Sequence, residues 1–168
     1  MKKLLSILSV ILVLCSCNKK DEAPTASASW KLGTTTYTQA LSIKQPIGPF
    51  VQYLALDKIY TSAELSNNSN STKTFNGFMV MFKSAPTAAG KYKIVLKNDP
   101  TSLAADEMMF TMQDKTMNKQ FAATTSSVLA DVTVNAGKIT VVIPTTKVLE
   151  VGTLGGTTLD ASGTFVEM

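Results

Sequence analysis

Residues 131–142 read DVTVNAGKITVV, and this stretch decides the fold class. Valines alternate with polar residues before its centre, and Ile139 and Val141 alternate with polar neighbours after it. A period of two is typical of a half-buried β-strand. Gly137 in the centre tolerates the positive φ that a tight hairpin turn requires. The stretch therefore predicts an antiparallel β-hairpin.

Similar patterns extend outward from this hairpin in both directions. In residues 91–97, Tyr92 and Ile94 share one face of a predicted strand and lysines occupy the other. Residues 30–38 predict an opening hairpin. About nine to eleven such strands with short turns predict an all-β fold, a single β-sandwich domain over residues 30–168. The alternative is a small antiparallel barrel of the lipocalin kind.

Two stretches leave a choice at the level of local structure. Residues 103–112 are rich in Ala, Glu and Met, which favour a helix, so a short helix there is the alternative to a strand from Glu107 to Gln113. Residues 75–82 carry apolar side chains on both faces of a predicted strand. They predict either a strand covered on both sides or one whose outer face meets a partner.

The composition excludes several classes of chemistry. Histidine is absent, and the sequence contains no arginine, so the sixteen basic residues are all lysines. Without histidine the chain lacks a Ser-His-Asp triad, a Cys-His pair and the usual zinc ligands. The formal charge of +4 falls to about +2 once two leader lysines are removed. A net charge this small does not indicate nucleic-acid binding. We therefore expect a protein that is not an enzyme, with no cofactor, metal or nucleic-acid partner.

Carboxylates remain as a route to catalysis. Asp106 and Glu107 are adjacent, so on a strand they point to opposite faces. Glycoside hydrolysis needs two carboxylates across one bond, so a partner would have to come from elsewhere in the chain. The candidates are Asp57, Glu64, Asp131 and Asp160. We expect these side chains to be solvated surface groups, with a carboxylate-dependent glycosidase as the alternative.

Aromatic side chains supply the candidate ligand site. Trp30, Tyr37 and Tyr92 are predicted as a platform for stacking against sugar rings, although aromatic residues of this kind also pack in cores. A group of methionines, Met108, Met109, Met112 and Met117, offers thioethers that bind Cu(I). Because no His or Cys accompanies it, we expect this group to fill core space or a contact surface.

The amino terminus predicts export and lipid attachment. After Met1-Lys2-Lys3, an apolar stretch runs from Leu4 to Leu14, which is too short to span a bilayer comfortably. Leu14-Cys15-Ser16-Cys17 follows and resembles the lipobox of bacterial lipoproteins. The resemblance implies a signal peptide over residues 1–16 and a diacylglyceryl group on Cys17.

Two alternatives to lipid attachment at Cys17 remain. Cys15 fits the lipobox less well, because Leu14 precedes it where a small residue is expected. Ordinary secretory cleavage at Ala26-Ser27-Ala28 is the other alternative. That site lies about a dozen residues beyond the apolar core, farther than a signal peptidase usually cuts.

Residues 17–29 are predicted as the lipidated cysteine and a flexible tether. Lys20-Asp21-Glu22 resembles the charged surface-export signal of Bacteroidetes lipoproteins, and a solvated linker is the alternative. The resemblance implies an outer-membrane protein exposed at the cell surface, with a periplasm-facing position as the alternative. Pro24 and its small polar neighbours then form a spacer without apolar periodicity.

Two further stretches resemble small uncharacterised envelope lipoproteins of the Bacteroidetes. Residues 159–165, LDASGTF, are similar to the closing strand of these proteins, and residues 30–37 are similar to their opening hairpin. The resemblance implies a strand-rich domain behind a lipid anchor. It carries no functional residues, because the family has no established activity.

The sequence thus predicts a lipid-anchored protein of the cell envelope that acts as a non-catalytic binding or accessory module. Its expected partners are the membrane, through the lipid anchor, and a glycan or an envelope protein. The alternative in a different class is a structural or inhibitory envelope protein that blocks an enzyme through a protruding loop.

Overall fold

The computed structural model describes residues 28–69 and 71–168, in which eleven β-strands form one hydrogen-bonded sheet system. The chain is all-β, as the sequence predicts. The helical segments in this part of the chain are both short, α1 (Ser62–Ser66) and a 3-10 turn (Pro100–Ser102). The strands are β1 (Ser29–Leu32), β2 (Thr35–Thr38), β3 (Leu41–Ile47), β4 (Phe50–Leu56), β5 (Gly77–Phe82), β6 (Gly90–Ile94), β7 (Glu107–Asp114), β8 (Lys119–Ala123), β9 (Leu129–Asn135), β10 (Lys138–Glu150) and β11 (Thr158–Val166).

Five of these strands close into a small barrel. β10 pairs with β9, β9 with β6, β6 with β7, β7 with β8, and β8 returns to β10. The β6–β7 pairing is parallel and the other four are antiparallel. Each strand of the ring has a neighbour on both sides, so none of the five presents a free edge. With five strands and a parallel pair, this barrel differs from the lipocalin kind.

Pro144 lies where β10 changes partner. β10 pairs with β9 over residues 138–142 and with β8 over residues 148–150. Its register with β11 shifts between Ile143 and Thr146. Proline has no N–H for the ladder, so regular pairing is interrupted there. The irregularity lets one long strand serve two neighbours and close the ring.

Two sets of strands extend the barrel and face each other. β5, β4 and β3 continue from β7, while β11, β1 and β2 continue from β10. Tyr53 of the first set meets Phe165 of the second with ring centroids 5.7 Å apart, and Phe78 meets Trp30 at 6.2 Å. A small closed barrel and two facing sets of strands are therefore combined in one all-β domain.

One hydrophobic core runs through the barrel and the facing sheets. Its members come from both sets and from all five barrel strands. The largest fully buried side chains include Trp30, Tyr53, Phe78, Phe82, Phe110, Phe121 and Phe165. A second cluster of Met81, Leu103 and Met109 lies apart from it. β5 contributes to both clusters, which confirms that it is covered on both faces.

Most predicted local elements are confirmed. β9 and β10 form the hairpin of residues 131–142, and both turn residues have positive φ, 50° at Ala136 and 78° at Gly137. The opening hairpin forms as β1 and β2. The helix alternative for residues 103–112 is wrong, because β7 runs through most of this stretch and pairs with three strands. β6 ends at Ile94, earlier than predicted.

Candidate functional site

The structure buries Trp30, the central member of the predicted aromatic platform, and leaves Tyr37 and Tyr92 half-buried. Trp30 is 1% exposed, and its ring stacks on Tyr37 with centroids 5.3 Å apart. Tyr92 packs edge-on against Phe82 at 5.0 Å. Because the Trp30 ring is buried in the core, it offers no face to a sugar, and the three-residue platform needs correction. The predicted lipidation residue Cys17 and the predicted export residues 20–22 lie outside the described residues.

Most carboxylates of the described chain are held by lysines. Asp106 pairs with Lys93 at 2.8 Å, and Glu107 pairs with Lys97. These contacts lower the pKa of both carboxyl groups. A glycosidase general acid needs a raised pKa, so this adjacent pair lacks a property that hydrolysis requires. The other ion pairs are Lys44–Glu167, Lys58–Glu64, Lys91–Asp131, Lys119–Glu150 and Lys147–Asp160.

The methionines are packing residues in the structure. Met108 and Met112 are fully buried in the main core, and Met109 belongs to the second cluster with Met81. Met117 is more than a third exposed in the β7–β8 turn. The group is thus divided among separate environments, in keeping with the expected core role. Within residues 28–69 and 71–168, no three His, Cys, Asp or Glu side chains gather as metal ligands.

A polar concavity lies where the β7–β8 turn meets the end of β10, and we call it the polar cavity. Its volume is about 400 Å³. It is lined by Lys73, Asn118, Lys119, Gln120, Glu150 and residues 151–153. Such a volume falls in the range of small-molecule sites. No aromatic residue lines it, so recognition there would depend on charge and hydrogen bonds.

The loop that carries Lys73 is fixed to the β7–β8 turn by Asn118. The Lys73 backbone N–H donates to Asn118 Oδ1 at 2.6 Å, and Asn118 Nδ2 donates to the Ser71 carbonyl at 3.0 Å. Asn118 has a φ of 55°, a conformation that asparagine adopts more readily than most residues. The β7–β8 turn therefore holds Lys73 next to the start of β8.

Glu150 is the acidic member of the polar cavity. Its Oε2 accepts from Lys119 Nζ at 2.8 Å and from the Thr157 backbone N–H at 3.2 Å, and its Oε1 accepts from Thr153 Oγ1 at 3.2 Å. Led by the lysine contact, these donors lower the Glu150 pKa to about 2. The carboxylate is therefore ionised at neutral pH, and its charge is offset by Lys119.

A second concavity, the apolar groove, crosses the outer face of β3 and β4. Its volume is about 300 Å³, and it is lined by Ile43, Gln45, Gln52, Leu54, Leu65, Asn68 and Phe75. Gln52 donates to Gln45 at 2.9 Å across the strands. The groove has one aromatic ring and no charged lining residue, so it differs in chemistry from the polar cavity.

Sequence reasoning missed the polar cavity. Residues 71–73 are in a Ser/Thr-rich stretch that predicts only a loop, and Glu150 follows a strand pattern without a motif. Lys73 and Glu150 are separated by 77 positions and line the same cavity because β8 pairs with β10. A lysine between polar loop residues gives no signal that its side chain is buried.

Two tyrosine hydroxyls, of the buried Tyr60 and the half-buried Tyr37, are held by carboxylates outside the ion pairs. Tyr60 donates to Asp57 Oδ1 at 2.7 Å, and Tyr37 donates to Asp114, which also accepts from the Met117 backbone N–H at 2.7 Å. Burial, assisted by these carboxylates, raises the pKa of Tyr37 and raises that of Tyr60 to about 12. Burial also raises the pKa of Tyr53.

These shifts predict a loss of stability in alkali. A tyrosine whose pKa is higher in the folded chain contributes stability that is fully present below the ordinary value of 10 and is lost as pH rises towards the folded value. We expect the free energy of unfolding to fall above pH 10, and we expect the native chain to show less tyrosinate absorbance between pH 10 and 12 than the urea-unfolded chain. Coincident absorbance titrations of the two states would contradict this prediction.

No protein-family model, curated protein or solved structure matches the chain. Among residues 28–69 and 71–168, none of the helices has the length and apolar character needed to cross a bilayer.

Proposed function

We propose that this chain is a lipid-anchored protein of the cell envelope and acts as a non-catalytic binding module. The observation that carries the proposal is Leu14-Cys15-Ser16-Cys17 at the end of a short apolar run. Each buried methylene of an acyl chain contributes about 0.8 kcal/mol, so two or three chains on one cysteine give a stable anchor. Lys20-Asp21-Glu22 supports display on the outer face of the outer membrane.

The position of the first strand fits a tethered domain. β1 begins at Ser29, so eleven residues separate Cys17 from the sheet, enough for about 35 Å of extended chain. The Ala28 carbonyl accepts from the Gln39 N–H at 2.8 Å, and Ala28 is buried. Cleavage after Ala28 would remove this residue from the fold, which favours processing at Cys17 instead.

Two features support a binding role over catalysis. The polar cavity and the apolar groove are both of a size that accepts small ligands. In the described parts of the chain, seven carboxylates each form an ion pair with a different lysine. A carboxylate-dependent glycosidase is therefore not the function that the geometry supports best.

Cys17→Ser is expected to abolish fatty-acid attachment. The thioether cannot form on serine, so cells grown with a labelled fatty acid should give an unlabelled chain that retains its leader. Cys15→Ser is the matched control and should keep both the label and the cleavage. Mass spectrometry of the purified chains measures both lipid attachment and leader cleavage. Digestion of intact cells with an added protease tests whether the domain is exposed at the surface. A labelled Cys17→Ser chain, or a native chain beginning at Ser29, would refute the anchor.

A structural or inhibitory envelope protein is the second candidate, and one loop favours it. Leu154 is fully exposed between Gly152 and Gly155 in the connection from β10 to β11. An apolar side chain at the tip of a glycine-rich loop suits insertion into a partner protein. Chemical crosslinking on intact cells separates the two candidates, because this one requires a protein partner at residues 151–157.

A further inference from the structure

Lys73 is the most buried lysine of the described chain and has no carboxylate partner there. It is 7% exposed, whereas the lysines of the seven ion pairs are half-buried or exposed. Its Nζ donates to the Ser69 carbonyl at 2.6 Å. Buried ammonium groups are costly unless a negative charge compensates them. This positive charge beside the polar cavity thus has no counter-ion among residues 28–69 and 71–168.

The neighbouring side chains leave hydrogen-bond donors for a ligand. Lys73 and Lys119 each have three ammonium hydrogens, and each uses one in the bonds described above. Gln120 lines the cavity, and its side-chain amide carries both a donor and an acceptor. With Glu150 ionised, these three charged groups sum to +1. An incoming anion would therefore find both charge compensation and several donors.

We propose that the polar cavity binds a small polar ligand through an oxyanion, a carboxylate or a phosphate, with Lys73 as the counter-charge. This inference rests on the binding function proposed above and names the ligand class of that site. Two lysines provide point charges and no planar fork, so the ligand is held by charge rather than by bidentate geometry. The rest of the ligand faces Gln120 and Thr153, whose side chains exchange hydrogen bonds with hydroxyl groups.

The apolar groove does not compete for this class of ligand. Its lining residues carry no charge, and Gln45 and Gln52 are engaged with each other. A neutral ligand would prefer it, because Ile43, Leu54, Leu65 and Phe75 give it apolar surface. A series of three sugars therefore distinguishes recognition of the charge from recognition of the sugar: glucuronate and glucose 6-phosphate are anionic, and glucose is neutral. Inorganic phosphate tests binding of the anion alone.

The test measures binding of these four probes to the purified full chain in mild detergent by calorimetry at constant ionic strength. We expect glucuronate or a phosphate compound to bind and glucose not to bind. Lys73→Met keeps the aliphatic part of the side chain. It should lower the affinity for the anion by at least about tenfold, as expected when a charged hydrogen bond is lost. Lys138→Met is the matched control, because it removes an exposed lysine at the other end of β10.

Thermal unfolding followed by Trp30 fluorescence provides an independent readout. Without ligand, Lys73→Met should unfold at the same or a higher temperature than the native chain, because it removes a buried charge. The anion should raise the unfolding temperature of the native chain and of Lys138→Met, but not that of Lys73→Met. An anion that stabilises all three equally, or no binding of any anionic probe, would overturn the proposal.

The failure of this inference is distinguishable from failure of the proposed function. A chain that is lipidated at Cys17 but binds no anion would keep the anchor and lose the ligand class. A chain that binds an anion but lacks the lipid would keep the polar cavity and lose the anchor. Binding of glucose with the same affinity as glucuronate would move the site to the apolar groove.

Discussion

Gly163→Val is expected to lower the free energy of unfolding by about 3 kcal/mol or more, the upper part of the range for overpacked cores. Gly163 lies in β11 directly opposite Trp30 of β1. A Cβ atom at this position would lie 2.9 Å from Trp30 Cβ and 3.1 Å from a Phe78 ring carbon. Trp30 and Phe78 belong to the two facing sheets, so neither can move without disturbing the contact that joins them.

Gly90→Val is the matched control for this substitution. Gly90 is also in a strand, but a Cβ there would meet only the Tyr92 ring edge at an ordinary 3.6 Å. Valine favours strands, so we expect a change within about 1 kcal/mol. Urea unfolding followed by circular dichroism measures both variants without relying on Trp30. Equal stability of Gly163→Val and the native chain would show that the two sheets do not pack at this point.

Phe121→Ala is expected to lower the free energy of unfolding by about 3–5 kcal/mol. Phe121 is fully buried, and it lies in β8, the strand that closes the barrel between β7 and β10. Removing the ring leaves a cavity between strands that are already held on both sides. Because these strands cannot collapse into the space, we expect the full energetic cost of the cavity to lower the free energy of unfolding.

Phe75→Ala provides the comparison with the same change in side chain. Phe75 is half-buried at the apolar groove, and its ring contacts Tyr60 edge-on at 5.8 Å. Its loss should cost less, because the space opens to solvent. Urea unfolding of both variants, followed by fluorescence and circular dichroism, gives the two free energies. A Phe121→Ala chain as stable as Phe75→Ala would mean that the barrel is not the stable centre of the domain.

The contrast between Trp30 and Lys73 illustrates what local sequence can predict. For Trp30 the sequence leaves a stacking platform and core packing as alternatives, and the side chain lies in the core; Lys73 is in a stretch that predicts only a loop, and its side chain is buried at a cavity. In both cases the short-range pattern gave the correct backbone state, a strand and a loop. The burial of each side chain depends on elements distant in the chain: β11 and β5 for Trp30, and the β7–β8 turn for Lys73.

The sequence by itself determined the all-β class, the two hairpins around Gly33 and Gly137, and the lack of histidine and arginine chemistry. These properties follow from composition and from a two-residue period, which are local. Only the tertiary structure decided that β8 closes a five-stranded ring and that the facing sheets bury Trp30. It also decided that Lys73 and Glu150 border one cavity. The reason is physical: strand periodicity specifies which face a side chain takes, whereas pairing between distant strands determines what that face meets.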